Sequence, residues 1–490
     1  LAAHTGQADL RDGSYAGSDM ERAAQILAAA HPGQTLVASA TRELARDSLD
    51  PGLSLKELGS HRLPDLLPPR PLYQLAPAGW SAPFPPPLTL DRHPHNLPVQ
   101  QRRFVGRAHE LAEAGRLLEA ARLLTLTGAE GSGKSRLALQ LAADRIGACP
   151  DGAWLVDLSS LASPALVPQA VAAALGLRET ADRSPQATLL DWLRRRRLLL
   201  VLDNCEHLRA AAGGLAEALL RDCPQVRVIA TSREPLGVAG EVELPVPPLA
   251  LPLYGGFGEP IQALSQYDAV ELFLDRASLA RPGFEVNNDN LPGIAQICHR
   301  LEGIPLAIEL AAASLNRLEV DPLMAQVDAW FDRFTGAQPL SLPRDLVLRA
   351  AIELSYSRLE AGTARLLHRL AVFPGAFGAT AAGAVCADAS DRRGLFVAEG
   401  LAQLEQAAWL VVQRGTQPRL HLHEALRQFA LEKLIATGED RALRDRHLFW
   451  AGNLARSAGE ALSGAYPVAA LRQLEAEHDN LRAAGYRLQR

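Results

Sequence analysis

The chain has 490 residues, 48% hydrophobic and 21% charged, which on length predicts about three to four domains of ordinary globular composition. Its net charge of -5 excludes a chain-wide electrostatic footprint for nucleic acid, and no apolar run approaches the roughly 18 residues of a membrane span. The five cysteines (Cys149, Cys205, Cys223, Cys298, Cys386) are scattered without metal-ligand spacing, which points to a reduced, cytoplasmic setting.

Residues 1–76 read as a small α/β unit. A helical pattern covers Glu21–Ala30, a strand Thr35–Ala38, a helix Thr41–Asp47 and a strand Pro71–Leu75. The ordered signals HTG (His4–Gly6), Tyr15-Ala16-Gly17, HPGQTLVAS (His31–Ser39), LGSHRLPDL (Leu58–Leu66) and PLYQL (Pro71–Leu75) resemble the C-terminal half of a class III nucleotidyl cyclase. The resemblance implies an Asn, then an Arg that stabilises the transition-state phosphate, on the first helix. This chain has Glu21 and Gln25 there. A carboxylate repels a triphosphate and Gln25 lacks the cation, so no cyclase activity is expected. Ten prolines between Pro68 and Pro98 mark residues 77–102 as a stiff, Pro-rich linker.

Beyond it, Leu123–Thr127 reads as a buried strand and Leu137, Leu139 and Leu141 as a helix. Between them, GAEGSGKS (Gly128–Ser135) fits G-x-x-x-x-G-K-[ST]. Gly128, Gly131 and Gly133 permit backbone turns that aim N–H groups at phosphate oxygens, and Ala129, Glu130 and Ser132 complete the cradle. The helix that follows, carrying Arg136, adds its positive end. Lys134 is placed to reach β- and γ-phosphates, and the Ser135 hydroxyl to ligate Mg²⁺. Of the 50 basic residues only Lys56, Lys134 and Lys433 are lysines, so one falling in this frame is informative.

A βα alternation continues through Ala153–Leu158. Ser163-Pro164 and Ser184-Pro185 read as N-caps, each with Pro at the first helical position. Leu198–Leu202 is an all-apolar run ending in Asp203, as in a buried parallel strand whose C-terminal acid holds Mg²⁺. Glu206 is the nearest candidate base; Asn204 stands where many ATPases have an acid, so slow hydrolysis is expected. Val226–Ala230 ends in Thr231-Ser232-Arg233, with Arg233 as a γ-phosphate-sensing cation or a structural salt-bridge partner. Glu241–Val246 completes a five-stranded parallel core.

Helices follow, including a corner at GIPL (Gly303–Leu306). Residues 344–433 run from helices into a hairpin (Trp409–Arg414, Arg419–His423, around Gly415) and the helix of LHEALRQFALEKL. Their 11 Lys+Arg against 9 Asp+Glu give no basic face, so direct nucleic-acid binding by this chain is not expected. The tail is helical.

The ordered P-loop, Asp203, TSR, GIPL and LHE resemble the STAND NTPases with an NB-ARC-like core. That resemblance implies adenine contact by FVGR (Phe104 with Val105, Gly106 and Arg107), nucleotide contact by Pro305 and His423, ATP/ADP with Mg²⁺ as cofactors, and helical repeats that sense a ligand or protein. It further implies self-association in the ATP state. No lysine follows an asparagine, so the guanine-reading N-K-x-D is absent. The expected organisation is an α/β P-loop NTPase core (103–250) with parallel sheet and flanking helices, a helical domain (251–335), a winged-helix domain (336–433) and the start of TPR-like repeats (434–490). An ATP-dependent switch is the leading reading. The rivals are an active cyclase, a transcription regulator whose DNA-binding domain lies elsewhere, and a P-loop kinase. Leu1 without Met suggests a piece of a longer protein.

Overall fold

The computed structural model describes residues 1–11, 14–80, 84–161, 163–178, 182–252, 264–335, 343–388, 395–413, 418–462 and 467–488. The N-terminal unit holds β1 (Ala2–Ala3), β2 (Asp9–Arg11), β3 (Ser14–Ala16), α1 (Ser18–Ala28), β4 (Thr35–Ala38), α2 (Ser39–Ala45), β5 (Leu53–His61) and β6 (Arg70–Pro77). Its main sheet runs β1-β4-β6-β5, with only the β1–β4 pair parallel. Ile26, Leu36 and Leu72 centre its small core. The long strand β5 was not expected from the sequence. It carries Lys56 and Glu57, and a register shift between Glu57 and Gly59 breaks the two-residue period that would have revealed it.

The proline-rich segment does not hang free between the units. Leu88 N–H donates to Ala29 O, Leu90 to Arg62 O and Gln100 to Leu66 O. Leu90 and Leu97 are buried beside Leu66 in the core under the P-loop helix.

The central unit comprises α3 (Ala108–Ala120), β7 (Leu123–Thr127), α4 (Lys134–Arg145), β8 (Ala153–Asp157), α5 (Val167–Ala174), α6 (Pro185–Leu193), β9 (Leu199–Asp203), α7 (Arg209–Asp222), β10 (Arg227–Ser232) and β11 (Glu241–Pro245). All five strands are parallel, in the order β11-β7-β10-β9-β8. In β9 the pleat sends Leu200 and Leu202 into the layer with α5, α6 and α7, and Leu199 and Val201 into the layer with α3 and α4. This two-faced burial explains the uninterrupted apolar run. Ser184 caps α6 by accepting from Ala187 N–H at 3.3 Å. Ser163 makes no such cap: Pro164–Leu166 winds as a 3₁₀ turn, and the α-helix begins only at Val167.

The remainder is helical: α8 (Asp268–Ala280), α9 (Leu291–Arg300), α10 (Pro305–Ala313), α11 (Val320–Thr335), α12 (Arg344–Tyr356), α13 (Ala361–Leu370), α14 (Ala379–Cys386) and α15 (Leu395–Gln406). The antiparallel pair β12 (Leu410–Gln413) and β13 (Arg419–Leu422) comes next, then α16 (Glu424–Thr437), α17 (Asp440–Leu462), α18 (Pro467–Ala476) and α19 (His478–Leu488). Arg414 and Gly415, at the expected hairpin tip, lie outside the described residues. One hydrophobic core runs through Phe273, Ile308, Leu348, Leu367, Trp409 and Phe429, so α8 to α16 share an interior. Among the described residues no helix is long and apolar enough to cross a membrane.

Candidate functional site

The C-terminal edge of the sheet gathers the predicted residues. At Gly131 φ is +74°, and a Cβ there would meet Leu306 Cβ at 3.1 Å and Leu348 Cδ2 at 3.2 Å. At Gly128 φ is +147°, and a Cβ would meet Val246 O at 2.8 Å. Gly133 precedes α4, which opens at Lys134. The largely buried Lys134 donates its ammonium to Gly128 O and Ala129 O, both at 2.9 Å. Burial lowers its pKa, and the carboxylates of Glu206, Glu130 and Asp203 oppose that.

Asp203 ends β9 in a polar row. Thr231 Oγ1 donates to its Oδ1 at 2.5 Å, and a hydrogen bond from Ser135 reaches the same carboxylate. Burial first and Asp157 second raise its pKa to about 6 against those bonds. Asn204, held at φ +60°, donates its N–H to Thr231 Oγ1 at 2.9 Å and its side-chain amide to Asp157 Oδ1 at 3.0 Å. Glu206 begins a short 3₁₀ turn; one of its carboxylate oxygens is buried without a hydrogen-bond partner, as are the hydroxyls of Ser132 and Ser232. Arg233 donates to Glu130 at 2.5 Å, so it reaches the loop as an ion-pair partner.

The FVGR segment braces the loop from behind. Arg107, only 3% exposed, donates to Ser132 O at 2.7 Å and Pro247 O at 2.6 Å, while its N–H donates to Asp268 at 2.8 Å. Gly106 is fixed by the same carboxylate, whose Cγ would lie 2.3 Å from any Cβ. Val105 is buried in the helical core. Arg136 donates to the carbonyls of Arg102 (2.7 Å) and Arg103 (3.1 Å), so its cation is committed to the segment before the loop.

The helical corner closes on the front. Leu306 N–H donates to Gly131 O at 3.3 Å, and Pro305 Cγ lies 3.8 Å from where a Gly133 Cβ would stand. His423, at the N-cap of α16, is solvent-accessible but crowded enough that desolvation lowers its pKa, with Glu309, Glu424 and Lys134 acting on it. In the N-terminal unit, Glu21 lies 4.0 Å from Arg103 and Gln25 Oε1 is buried without a partner.

Three further residues of the site fall outside the sequence motifs. Asp157 ends β8 as Asp203 ends β9, and that shared strand-end acid was its signal. His421 on β13 carries a buried Nδ1 with no partner, and burial drives its pKa down to about 4. Arg344, at the start of α12, lines a cleft of about 320 Å³ beside Gly128 and Ala129; no sequence pattern marks it.

The buried hydroxyl of Ser132 and the close-packed glycine cradle suit a phosphate chain, and Ser135 with Asp203 suits the oxygen-ligand chemistry of Mg²⁺. Residues 117–238 match the AAA domain family. The uncharacterized protein Rv0894 of Mycobacterium tuberculosis is 39% identical over 345 residues, covering 70% of this chain and 84% of that protein. The chain belongs to the Rv0894 family. It is a P-loop NTPase by its matched domain and its parallel sheet. The chain is also similar to Rv0890c of the same organism, a protein named as a candidate HTH-type transcriptional regulator, at 38% identity over 370 residues. There the match covers 75% of this chain but 40% of Rv0890c. Among solved structures, a Signal Transduction ATPase with Numerous Domains carrying a tetratricopeptide repeat sensor, from Pyrococcus horikoshii, aligns over 79% of this chain and 53% of that one, with TM-score 0.45 and 14% identity.

Proposed function

We propose that this chain is an ATP/ADP-controlled signalling switch with slow ATP hydrolysis, built on an NB-ARC-like core of the STAND kind. The observation that carries the reading is the seating of Pro305 and Leu306 on the phosphate loop, because nucleotide bound there would touch both the sheet and the helical corner. Gly128 to Ser135 would hold the phosphates, Lys134 the β- and γ-oxygens, and Ser135 with Asp203 a Mg²⁺ ion that neutralises phosphate charge. Arg233 would sense the γ-phosphate by leaving Glu130, and Glu206 would orient water. Asn204 beside Asp203 supports a low turnover, since an amide takes up no proton. Val105, Gly106 and Arg107 would flank the base, with Arg107 acting through the loop backbone it braces.

In this reading residues 251–335 and 336–433 are the helical and winged-helix domains, and 434–490 begins a cytoplasmic sensor array. ADP holds the module closed through Pro305 and His423. Exchange for ATP opens it for self-association. An output through transcription fits the name of Rv0890c, with DNA contact made outside this chain. Residues 1–76 serve as a cyclase-like unit without cyclase activity.

The test is calorimetric titration of wild type and Lys134→Ala with ADP and ATP. Removing the only ammonium at the phosphates should abolish measurable binding of both. Unchanged ATP affinity in the variant would sink the reading. Nucleotide released from purified wild type, identified by chromatography, should be ADP.

A further inference from the structure

Three features of the fold lie outside the roles assigned so far: the cleft at Arg344, the contact of α19 with the sheet edge through Asp479 and Ser160, and the Glu21–Arg103 pair. The first carries furthest, because it adjoins the phosphate loop and presents a charge that pairs with no other described residue.

Gly128, Ala129, Arg233, Glu234, Arg344 and Asp345 line this cleft. Its floor is the part of the loop whose carbonyls receive the Lys134 ammonium. A P-loop lysine reaches the β- and γ-phosphates, so the cleft adjoins the side of the loop on which Lys134 would meet a terminal phosphate. Two guanidinium groups border that side, and they differ. Arg233 is already paired with Glu130. Arg344 is exposed and makes no ion pair or hydrogen bond among the described residues. The acid on the facing wall, Glu234, is held by Arg209. Asp345 follows Arg344 directly, and adjacent residues of a helix do not face one another, so it does not neutralise Arg344.

α12 is also anchored where the cleft needs it. One turn beyond Arg344, Leu348 packs against Gly131, and Val347 and Leu348 are buried in the shared helical core. Arg344 therefore lies on a helix that is seated both on the phosphate loop and in the shared helical core.

We propose that Arg344 is a specificity-determining residue that selects nucleoside triphosphate over diphosphate by pairing with the terminal phosphate from the helical side of the cleft. The inference rests on reading Gly128–Ser135 as the phosphate site. It differs from the role assigned to Arg233 in cost: Arg344 gives up no partner among the described residues, so it supplies attraction that Arg233 can offer only after leaving Glu130. It also makes α12 the element that distinguishes the two nucleotides, since its Arg344 would meet only the longer one.

The experiment is titration of the full chain with the non-hydrolysable triphosphate AMPPNP and with ADP, each with Mg²⁺. A charge-assisted bond of this kind corresponds to a loss of roughly ten- to a hundredfold in affinity. Arg344→Ala should lose that factor for AMPPNP and change ADP affinity less than about twofold, and Arg344→Lys should recover part of the loss by restoring the charge without the fork. Retained ADP binding shows that the variant is folded. Equal weakening of both nucleotides, or of neither, overturns the proposal. If wild type binds neither, the phosphate-site reading itself fails, which is a separate result from selective loss being absent.

Discussion

At the scale of single residues, the phosphate loop is defined by positions where a side chain cannot go. Gly131 combines a left-handed backbone with neighbours from two other helices, Leu306 and Leu348. Gly131→Ala should therefore lower stability by about 1–2 kcal/mol from backbone strain alone and displace α10 and α12 from the loop. Gly214, exposed in the middle of α7 with open space around its missing Cβ, is the matched control. Gly214→Ala should raise stability by up to about 1 kcal/mol, because helix propensity is the only term that changes. Denaturant melts of the two variants check both signs; a neutral Gly131→Ala would mean the loop adapts at no cost. The glycines were legible in the sequence because their spacing fits the pattern G-x-x-x-x-G-K-[ST]. Arg107 was legible as a position but not as a role: nothing in Phe104–Arg107 says that the guanidinium turns back onto the carbonyls of Ser132 and Pro247.

At the scale of elements, α10 is tied to the segment before the loop by a charge cluster around Glu309. Arg276 donates to its carboxylate at 2.9 Å, and Arg102 and Arg136 lie at 3.6 Å and 3.8 Å. Burial alone would raise the Glu309 pKa. The three guanidinium groups more than reverse that and hold it at about 2. A carboxylate depressed in the folded state stabilises fully above its ordinary value near 4.5 and loses that contribution as pH falls toward 2. Wild type should thus lose on the order of 2–3 kcal/mol between about pH 5 and pH 2 through this residue. Glu309→Gln should be less stable than wild type at pH 6, with the gap closing on acidification. Thermal melts across that range decide it, and a constant gap would remove Glu309 as the cause. Buried strands such as Leu199–Asp203 were plain in the sequence, since both faces demand apolar side chains. Their order was not, because β10 lies between β7 and β9 by pairing that no single strand encodes. β5 stayed hidden behind its bulge, and the cap expected at Ser163 was displaced by a 3₁₀ turn.

At the scale of the whole molecule, segments far apart in the chain converge on one sheet edge. The hairpin strand β13 leads through His423 toward Lys134, and the C-terminal segment holds β13: Arg419 pairs with Glu477, and Asn480 donates at 2.9 Å to the carbonyl of Ala376, the residue before Phe377, which bridges to Leu420 of β13. Asp479 reaches across to Ser160, just past β8. The proposed clasp at His423 then has a kinetic signature. His423→Ala should release ADP several-fold faster in stopped-flow displacement of a fluorescent ADP analogue, with little change in its association rate. An unchanged off-rate would remove His423 from the site.

The bond from Leu306 to the carbonyl of Gly131 also bears on where this protein can be cut. Residues 117–238 contain Gly128–Ser135, Asp203 and Arg233, yet the outer wall of the loop is supplied by α10 and α12, which lie beyond that span. A transplanted core would carry the glycines without the surfaces that shape them. The unit of inheritance for this loop is therefore larger than its motif. Residues 304–306 and 348 belong to it as much as Lys134 does, and a graft between relatives should take its border after α12.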